Sequence, residues 1–290
     1  MKNNTKIDTD KNNTNENNGR RRSNPLKKLI IPAVIIALIS IFLTFENKHI
    51  VITEYSYSNA LIGEDMNGFC IVQISDLHNA SFGKNNSKLI QKIEECKPDI
   101  IVLTGDLVDG STHTNVKTAV SFAEQVSSIC PVYYVTGNHE YYISREKREE
   151  LFAGLENTGV IILNDSSVYI SKTVQLIGLD DNSLMSNSLS TFTGPESLDI
   201  VLAHEPQYLE RYSTNNADLA LTGHAHGGQF RLPFIGAVYA PDQGINPKYT
   251  EGIHTFNNTQ MIVSRGLGNS VFPFRLFNHP EIVSVRLVSE

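Results

Sequence analysis

Phe69-Cys70-Ile71-Val72-Gln73-Ile74-Ser75-Asp76-Leu77-His78 is the stretch on which the fold turns. A short, β-rich apolar run reads as a strand buried on both faces, and it ends abruptly on an Asp-x-His pair. The same arrangement recurs along the chain. Ile100 to Leu103 leads into Gly105-Asp106, and Val132 to Val135 leads into Gly137-Asn138-His139-Glu140. Ile200 to Ala203 meets His204, and Leu219 to Leu221 leads into Gly223-His224-Ala225-His226. In open α/β folds the ligand crevice lies outside the carboxyl ends of the strands, so five strand ends bring polar residues to one edge.

Helical patterns separate the first runs. Leu89, Ile90, Ile93 and Cys96 share one face of a helix predicted near Ser87 to Cys96. Further helices are predicted near Val116 to Ile129 and from about Ser144 to Asn157. Short strands then dominate: Val160 to Leu163, Val168 to Ile170, Val174 to Ile177, Gln229 to Leu232, Ala237 to Tyr239, Gln260 to Ser264 and Ile282 to Leu287. This order predicts an α/β fold, a four-layer αββα sandwich of two mixed sheets with outer helices.

Ahead of this part the composition changes. Residues 1–28 carry eight Lys/Arg against three Asp/Glu, a surplus of +5, so the remainder carries −12 of the overall −7. Their Asn- and Lys-rich start cannot bury enough apolar surface to order itself, and it reads as a basic cytoplasmic tail. Leu29 to Phe45 is an uncharged run of seventeen residues, about 25 Å as a helix and close to the minimum for crossing a bilayer. A core helix would show polar positions at helical spacing, which this run lacks. The basic residues before it and the single Lys48 soon after it predict one pass, with the tail in the cytoplasm and the catalytic part outside the cell membrane. Ile41 to Glu46 lacks a small-x-small cleavage site, which favours an uncleaved anchor over a signal peptide. Arg21-Arg22 is a poor match to a twin-arginine export signal. The expected organisation is a tail (1–28), an anchor (29–45), a linker with the first strand (46–68) and a catalytic domain (69–290).

An acidic catalytic part is a poor partner for nucleic acid, and none is expected. Cys70, Cys96 and Cys130 have neither zinc nor disulfide spacing, and Cys70 and Cys130 read as small core hydrophobes. Arg265 reads either as a substrate contact or as a structural ion pair. The aromatic segment Val271 to Phe277 reads as core packing or as an apolar surface toward lipid.

The ligand types carry the chemistry. Carboxylate, imidazole and amide donors around one point suit borderline divalent ions: manganese first, with iron or zinc as alternatives. An Asp-x-His alone is weak evidence, and an isolated Gly-Asn-His can be only a turn. All five islands in order, each after a strand, are specific.

Together these islands resemble the calcineurin-like metallophosphoesterases from Asp76 to His226, about half of the chain. Gly227-Gly228-Gln229 and Val263-Ser264-Arg265-Gly266-Leu267-Gly268 look like a bacterial membrane-anchored branch, with phosphodiesterases and UDP-diacylglucosamine pyrophosphatase-like enzymes. The resemblance implies two divalent ions. Asp76, His78 and His226 would hold one, Asn138, His204 and His224 the other, and Asp106 would bridge them. It implies His139 as the proton donor, oriented by a hydrogen bond to Asp109, and hydrolysis by metal-activated hydroxide. Protein phosphatases of the family place Arg after this Asp, whereas Gly110 stands here. The expected activity is hydrolysis of a phosphodiester or pyrophosphate in a small-molecule or lipid-linked envelope substrate. The alternatives are a phosphomonoesterase and a non-catalytic metal-dependent scaffold.

Overall fold

The computed structural model describes residues 25–184, 189–270 and 272–290, so most of the basic tail and Val271 lie outside the described residues. Two compact units divide the chain, residues 1–41 and 42–290. The first helix, α1 (Pro25–Lys48), contains the stretch Leu29–Lys48 of mean hydropathy 2.5, long and apolar enough to cross a membrane. Leu29 is 72% exposed and Ile41 66%, so this is not a core helix.

Next come β1 (Val51–Asn59), β2 (Cys70–Ile74), α2 (Ser87–Glu95), β3 (Ile100–Thr104), α3 (Val116–Ser127), β4 (Val132–Val135), α4 (His139–Tyr142), α5 (Arg145–Asn157) and β5 (Ile161–Ile162). The strands β2 to β5 run parallel, and each crossover carries a helix, as parallel pairing requires. Then follow β6 (Ser166–Tyr169), β7 (Val174–Gly178), β8 (Leu198–Leu202), α6 (Leu209–Thr214) and β9 (Leu219–Thr222). Two small hairpins pair β10 (Arg231–Leu232) with β11 (Gly236–Ala237), and β12 (Tyr239–Ala240) with β13 (Gly244–Ile245). The chain finishes through β14 (Gly252–Phe256), β15 (Thr259–Val263) and β16 (Glu281–Ser289).

Two six-stranded mixed sheets result, ordered β1-β16-β2-β3-β4-β5 and β14-β15-β9-β8-β7-β6. The alternation of side chains along each strand builds three apolar layers. Val72, Ile74, Ile101 and Leu103 face α2, α3 and α5 together with Leu89, Phe122 and Leu155. Ile71, Val102, Tyr133 and Val135 meet Leu176, Ile200, Leu219 and Leu221 of the other sheet. Ile177, Val201, Ala220 and Met261 are covered by Leu209 and Tyr212 of α6 and by loops. The two-sheet sandwich is therefore as predicted, with helices outside.

Several boundaries shift by a residue or two. The region expected as one strand from Ala237 to Tyr239 is split between two hairpins, and β14 and α6 were not predicted. In β14 a half-buried, alternating edge replaces the continuous apolar run that marks the other strands. In α6 only six residues are helical, too few for a periodic signal. Cys70 is buried in the outer layer, and Cys130 packs against it, as expected of small hydrophobes.

Near the carboxyl ends of the strands, Gln73 joins the two sheets. Its amide donates to Thr104 Oγ1 and to the Thr222 carbonyl of the facing sheet, each at 2.9 Å. A bond across this fully buried seam sets the spacing of the loops above it. The core itself is tight around α3, where Phe122 is fully buried. Phe122→Ala is expected to cost about 3–5 kcal/mol of unfolding free energy, read as a lower urea midpoint. A midpoint equal to that of the parent would contradict this packing.

Candidate metal centre

Every ligand residue expected from the sequence follows a parallel strand: Asp76 after β2, Asp106 after β3, Asn138 after β4, His204 after β8 and His224 after β9. The turns that carry them are abrupt. Asp76, His78, Asp106, His224 and His226 all hold positive φ, between 45° and 64°. Left-handed backbone at a residue with a Cβ costs roughly 1–3 kcal/mol each and persists only where the surroundings impose it. Here loop-to-loop bonds impose it. Asp76 N–H donates to the Gly105 carbonyl at 3.1 Å, and His78 N–H to the Asp106 carbonyl at 2.9 Å. The N–H of His224 points at both oxygens of the Asp76 carboxylate, at 3.1 and 3.2 Å.

Two donor clusters share Asp106. Asp76, His78, Asp106 and His226 bring ligand atoms within 4.8 Å of one another, as do Asp106, His204 and His224, and all six side chains are buried. Asp106 Oδ2 lies 3.3 Å from His78 Nε2 and 3.3 Å from His204 Nε2. Between His226 Nε2 and Asp76 Oδ1 the separation is 3.5 Å. Asn138, half-buried, turns its Nδ2 to Tyr142 Oη at 3.0 Å, which leaves Oδ1 buried without a partner.

The donors fit divalent cations on an observation independent of spacing. Asp106 Oδ2, His204 Nε2 and Asn138 Oδ1 are buried and make no hydrogen bond, and orphaned polar atoms of this kind call for a ligand. Their partners fix which atoms are free. The Nδ1 of His204 bonds the Thr104 carbonyl at 2.8 Å, so Nε2 is left over. In His224 the roles are reversed, because Nε2 meets Asp242 Oδ2 at 2.8 Å and Nδ1 remains. Such outer partners set imidazole tautomer and orientation.

Protonation follows the same pattern. Burial lowers His78 to about 4, and burial with the neighbouring His78 lowers His226 well below its usual value. Both are thus neutral, the form that binds metal. Burial acts to raise Asp106, but its electrostatic coupling to His204 first, and to His78, outweighs that and holds the carboxyl well below its ordinary range. At His204 burial acts to lower the value, and Asp106 and Asp76 overcome it.

His139 stands beside the clusters, with Nε2 at 3.9 Å from Asp106 Oδ2 and its side chain 17% exposed. Its expected partner, Asp109, meets the ring, but through the main chain. The Nδ1 lies 2.8 Å from the backbone carbonyl of Asp109, whereas the Asp109 carboxylate accepts the N–H of Ser111 at 3.0 Å. The Asp-x-x-Asp spacing carried no information about which oxygen of Asp109 would reach the ring.

The roles of three further parts have no signal of their own in the sequence. Glu140 is fully buried. Its carboxylate accepts the N–H groups of Asp106 (3.0 Å), Leu107 (2.8 Å) and Gly137 (2.8 Å), clamping the β3 and β4 loops together. Burial and the adjacent Asp106 raise it to about 8, against the pull of those donors. Asp242, the partner of His224, comes from a Pro-Asp-Gln-Gly turn without any signal of its own. Asp181 is raised to about 7 by burial. Arg265 proves structural, bonding Glu281 at 3.0 Å and facing Glu251 at 3.6 Å.

A two-sheet sandwich with buried Asp and His at its converging strand ends defines a metal-dependent hydrolase. The family model of the calcineurin-like phosphoesterases matches residues 70–228, more than half of the chain, and the chain belongs to that family; it is a metal-dependent phosphoester hydrolase. It is 30% identical to the Bacillus subtilis metallophosphoesterase YkuE, over 82% of this chain and 85% of that protein. It is 29% identical to the Escherichia coli phosphodiesterase YaeI, over 76% and 82%. A bovine transmembrane protein with a metallophosphoesterase domain is 30% identical, over 77% of this chain and 53% of its own length.

Glu140→Gln keeps the size of the clamp but removes one acceptor from three backbone donors. We expect a loss of about 1–3 kcal/mol in stability and a 10- to 100-fold weaker affinity for Mn²⁺ by calorimetric titration. Unchanged values for both would remove the clamp from the account.

Proposed function

We propose that this chain is a membrane-anchored phosphodiesterase of the family's bacterial membrane-tethered branch, working with two divalent ions. Manganese is the first choice, and iron or zinc fits the same donors. Asp76, His78 and His226 would hold one ion and Asn138, His204 and His224 the other, with Asp106 common to both donor clusters. The observation that carries this reading is the pair of donor clusters sharing Asp106, with Asp106 Oδ2, His204 Nε2 and Asn138 Oδ1 otherwise unpartnered. When bound, the ions supply Lewis acidity and a nucleophile available at neutral pH.

The protein's own groups do the rest. Asp106 stays ionised beside the imidazoles and cannot act as an acid. His139, with Nδ1 tied to the Asp109 carbonyl, presents Nε2 to the leaving-group oxygen and donates its proton there. Asp109 positions that ring through its main chain, not its carboxylate.

Substrate charge favours a diester. A cavity of about 550 Å³ opens beside Asn138 and is lined by Tyr141, Tyr142, Asp181, Glu205, Tyr208 and Asp242 among others, none of them basic. A dianionic monoester would want a cation here, and Gly110 stands where protein phosphatases carry arginine. A diester brings one charge and an organic arm that three tyrosines and several polar groups can accommodate. An uncharged or cationic arm suits this acidic wall.

The helix α1, the basic residues before it and the transmembrane relative support a single-pass anchor with a cytoplasmic N-terminus. The substrate is then a phosphodiester of the envelope, lipid-linked or otherwise. The comparison with YaeI, named as a phosphodiesterase, supports the same reaction.

With Mn²⁺ present, the full chain should turn over a bis-aryl phosphate faster than a mono-aryl phosphate, and the reverse preference would defeat the diesterase reading. Asp106→Asn should remove at least about 100-fold of kcat, and His139→Ala about 100- to 10,000-fold with a good substrate affinity retained. Two bound metals with undiminished hydrolysis in both variants would instead place the chemistry elsewhere.

A further inference from the structure

The hairpin of β10 and β11 ends in Leu232-Pro233-Phe234-Ile235-Gly236, a tip without a single charge. Phe234 is wholly exposed, Ile235 is 70% exposed and Leu232 39%. Connecting segments at a protein surface are normally polar, and lone exposed apolar residues need no explanation. These are not alone. Phe272 and Phe277 are also exposed, and the segment that holds them is bonded to the base of the hairpin. Phe230 packs its ring 4.8 Å from that of Phe272, Arg231 N–H donates to the Leu276 carbonyl at 3.0 Å, and Gln229 Nε2 donates to the carbonyls of Phe272 and Phe274.

This surface continues to the end of α1. The Phe277 ring lies 5.7 Å from that of Phe42, and Asn47 Oδ1 accepts the N–H of Arg275 at 2.9 Å. Phe42 follows Ile41, the last residue of the apolar unit, directly in the chain. An apolar path thus leads from the foot of the anchor through Phe277 and Phe272 to the hairpin.

We propose that the β10–β11 hairpin and the Phe272–Phe277 segment form a second membrane contact, with Phe234 and Ile235 inserted into the lipid interface beside the anchor. The proposal rests on the anchor reading of α1, and its occupant is the bilayer. Apolar groups placed at the headgroup–acyl boundary gain by burial in proportion to their area, and an aromatic tip suits that depth. The hairpin starts five residues after His226, so its docking would hold the metal centre at a set distance from the headgroups. A phosphodiester carried by a lipid would then reach the cavity without leaving the membrane surface.

The chain contains no tryptophan, which allows single-tryptophan reporters without background. Full-length Phe234→Trp, Ile36→Trp and Tyr169→Trp variants would be reconstituted in nanodiscs with and without brominated acyl chains. Ile36 reports the anchor, and Tyr169, exposed on the β6 edge, reports solvent. We expect Phe234→Trp to be blue-shifted and quenched about twofold or more by the brominated lipid, as an interfacial indole is, and Tyr169→Trp to be unaffected. Quenching at Ile36→Trp but not at Phe234→Trp overturns the hairpin contact and leaves the anchor standing; no quenching at Ile36→Trp sinks the anchor itself. A blue shift at Phe234→Trp that needs high protein density and ignores bromine would mean a second copy covers the tip, and would also overturn the proposal.

Discussion

The two sheets approach so closely at the carboxyl ends of their strands that the turns before several ligands have no room for a Cβ, and the metal centre depends on that approach. A Cβ on Gly223 would strike Ser75 and the Asp76 carboxylate. At Gly105, whose φ is +88°, it would strike His204 Nδ1 and Gly137. Glycines before Asp106, Asn138 and His224 let the backbones of both sheets come near enough for the ligand side chains to reach a common region. Gln73, the Thr104 carbonyl and the Asp76–His224 bond hold the sheets at that distance.

Electrostatics then decides what the enclosed region can be. Buried carboxylates and imidazoles in this number would destabilise a sandwich that had nothing to offer them, because desolvation penalises every charged form. Some of that penalty is met internally. His78 and His226 remain neutral, Asp106 is ionised among imidazoles, and Glu140 takes three backbone donors. What stays unmet, at Asp106 Oδ2, His204 Nε2 and Asn138 Oδ1, is the part that a cation satisfies. The strain of the left-handed ligands belongs to the same balance, with large apolar layers on either side of each sheet to support it.

Much of this was legible from residues alone, and for a definite reason. Strands buried on both faces print themselves as unbroken apolar runs, and a polar residue that ends such a run has no role in packing. Ile100 to Leu103 followed by Gly-Asp is the plainest case. Elements that are half-exposed or very short leave no comparable trace, which is why β14 and α6 were missed. Partners chosen by the backbone are less visible still. The Asp109 carbonyl, the Thr104 carbonyl and the clamp made by Glu140 depend on how loops from distant positions meet, and no spacing along the chain encodes that meeting. Asp242 is the extreme example, since a turn aspartate reaches His224 only after the hairpins of residues 231–245 have formed.

The place of β16 has a consequence for how the molecule is made. β1 and β2 are neighbours in the chain, yet in the sheet they are separated by β16, which is drawn from residues 281–289 and pairs with both. Until that segment arrives, β1 has no partner and β2 has an open edge. Contacts spanning more than two hundred residues are slow to form, because the loop must close before it is rewarded. The first sheet is therefore among the last parts of the domain to close, after residues 281–289 have been made.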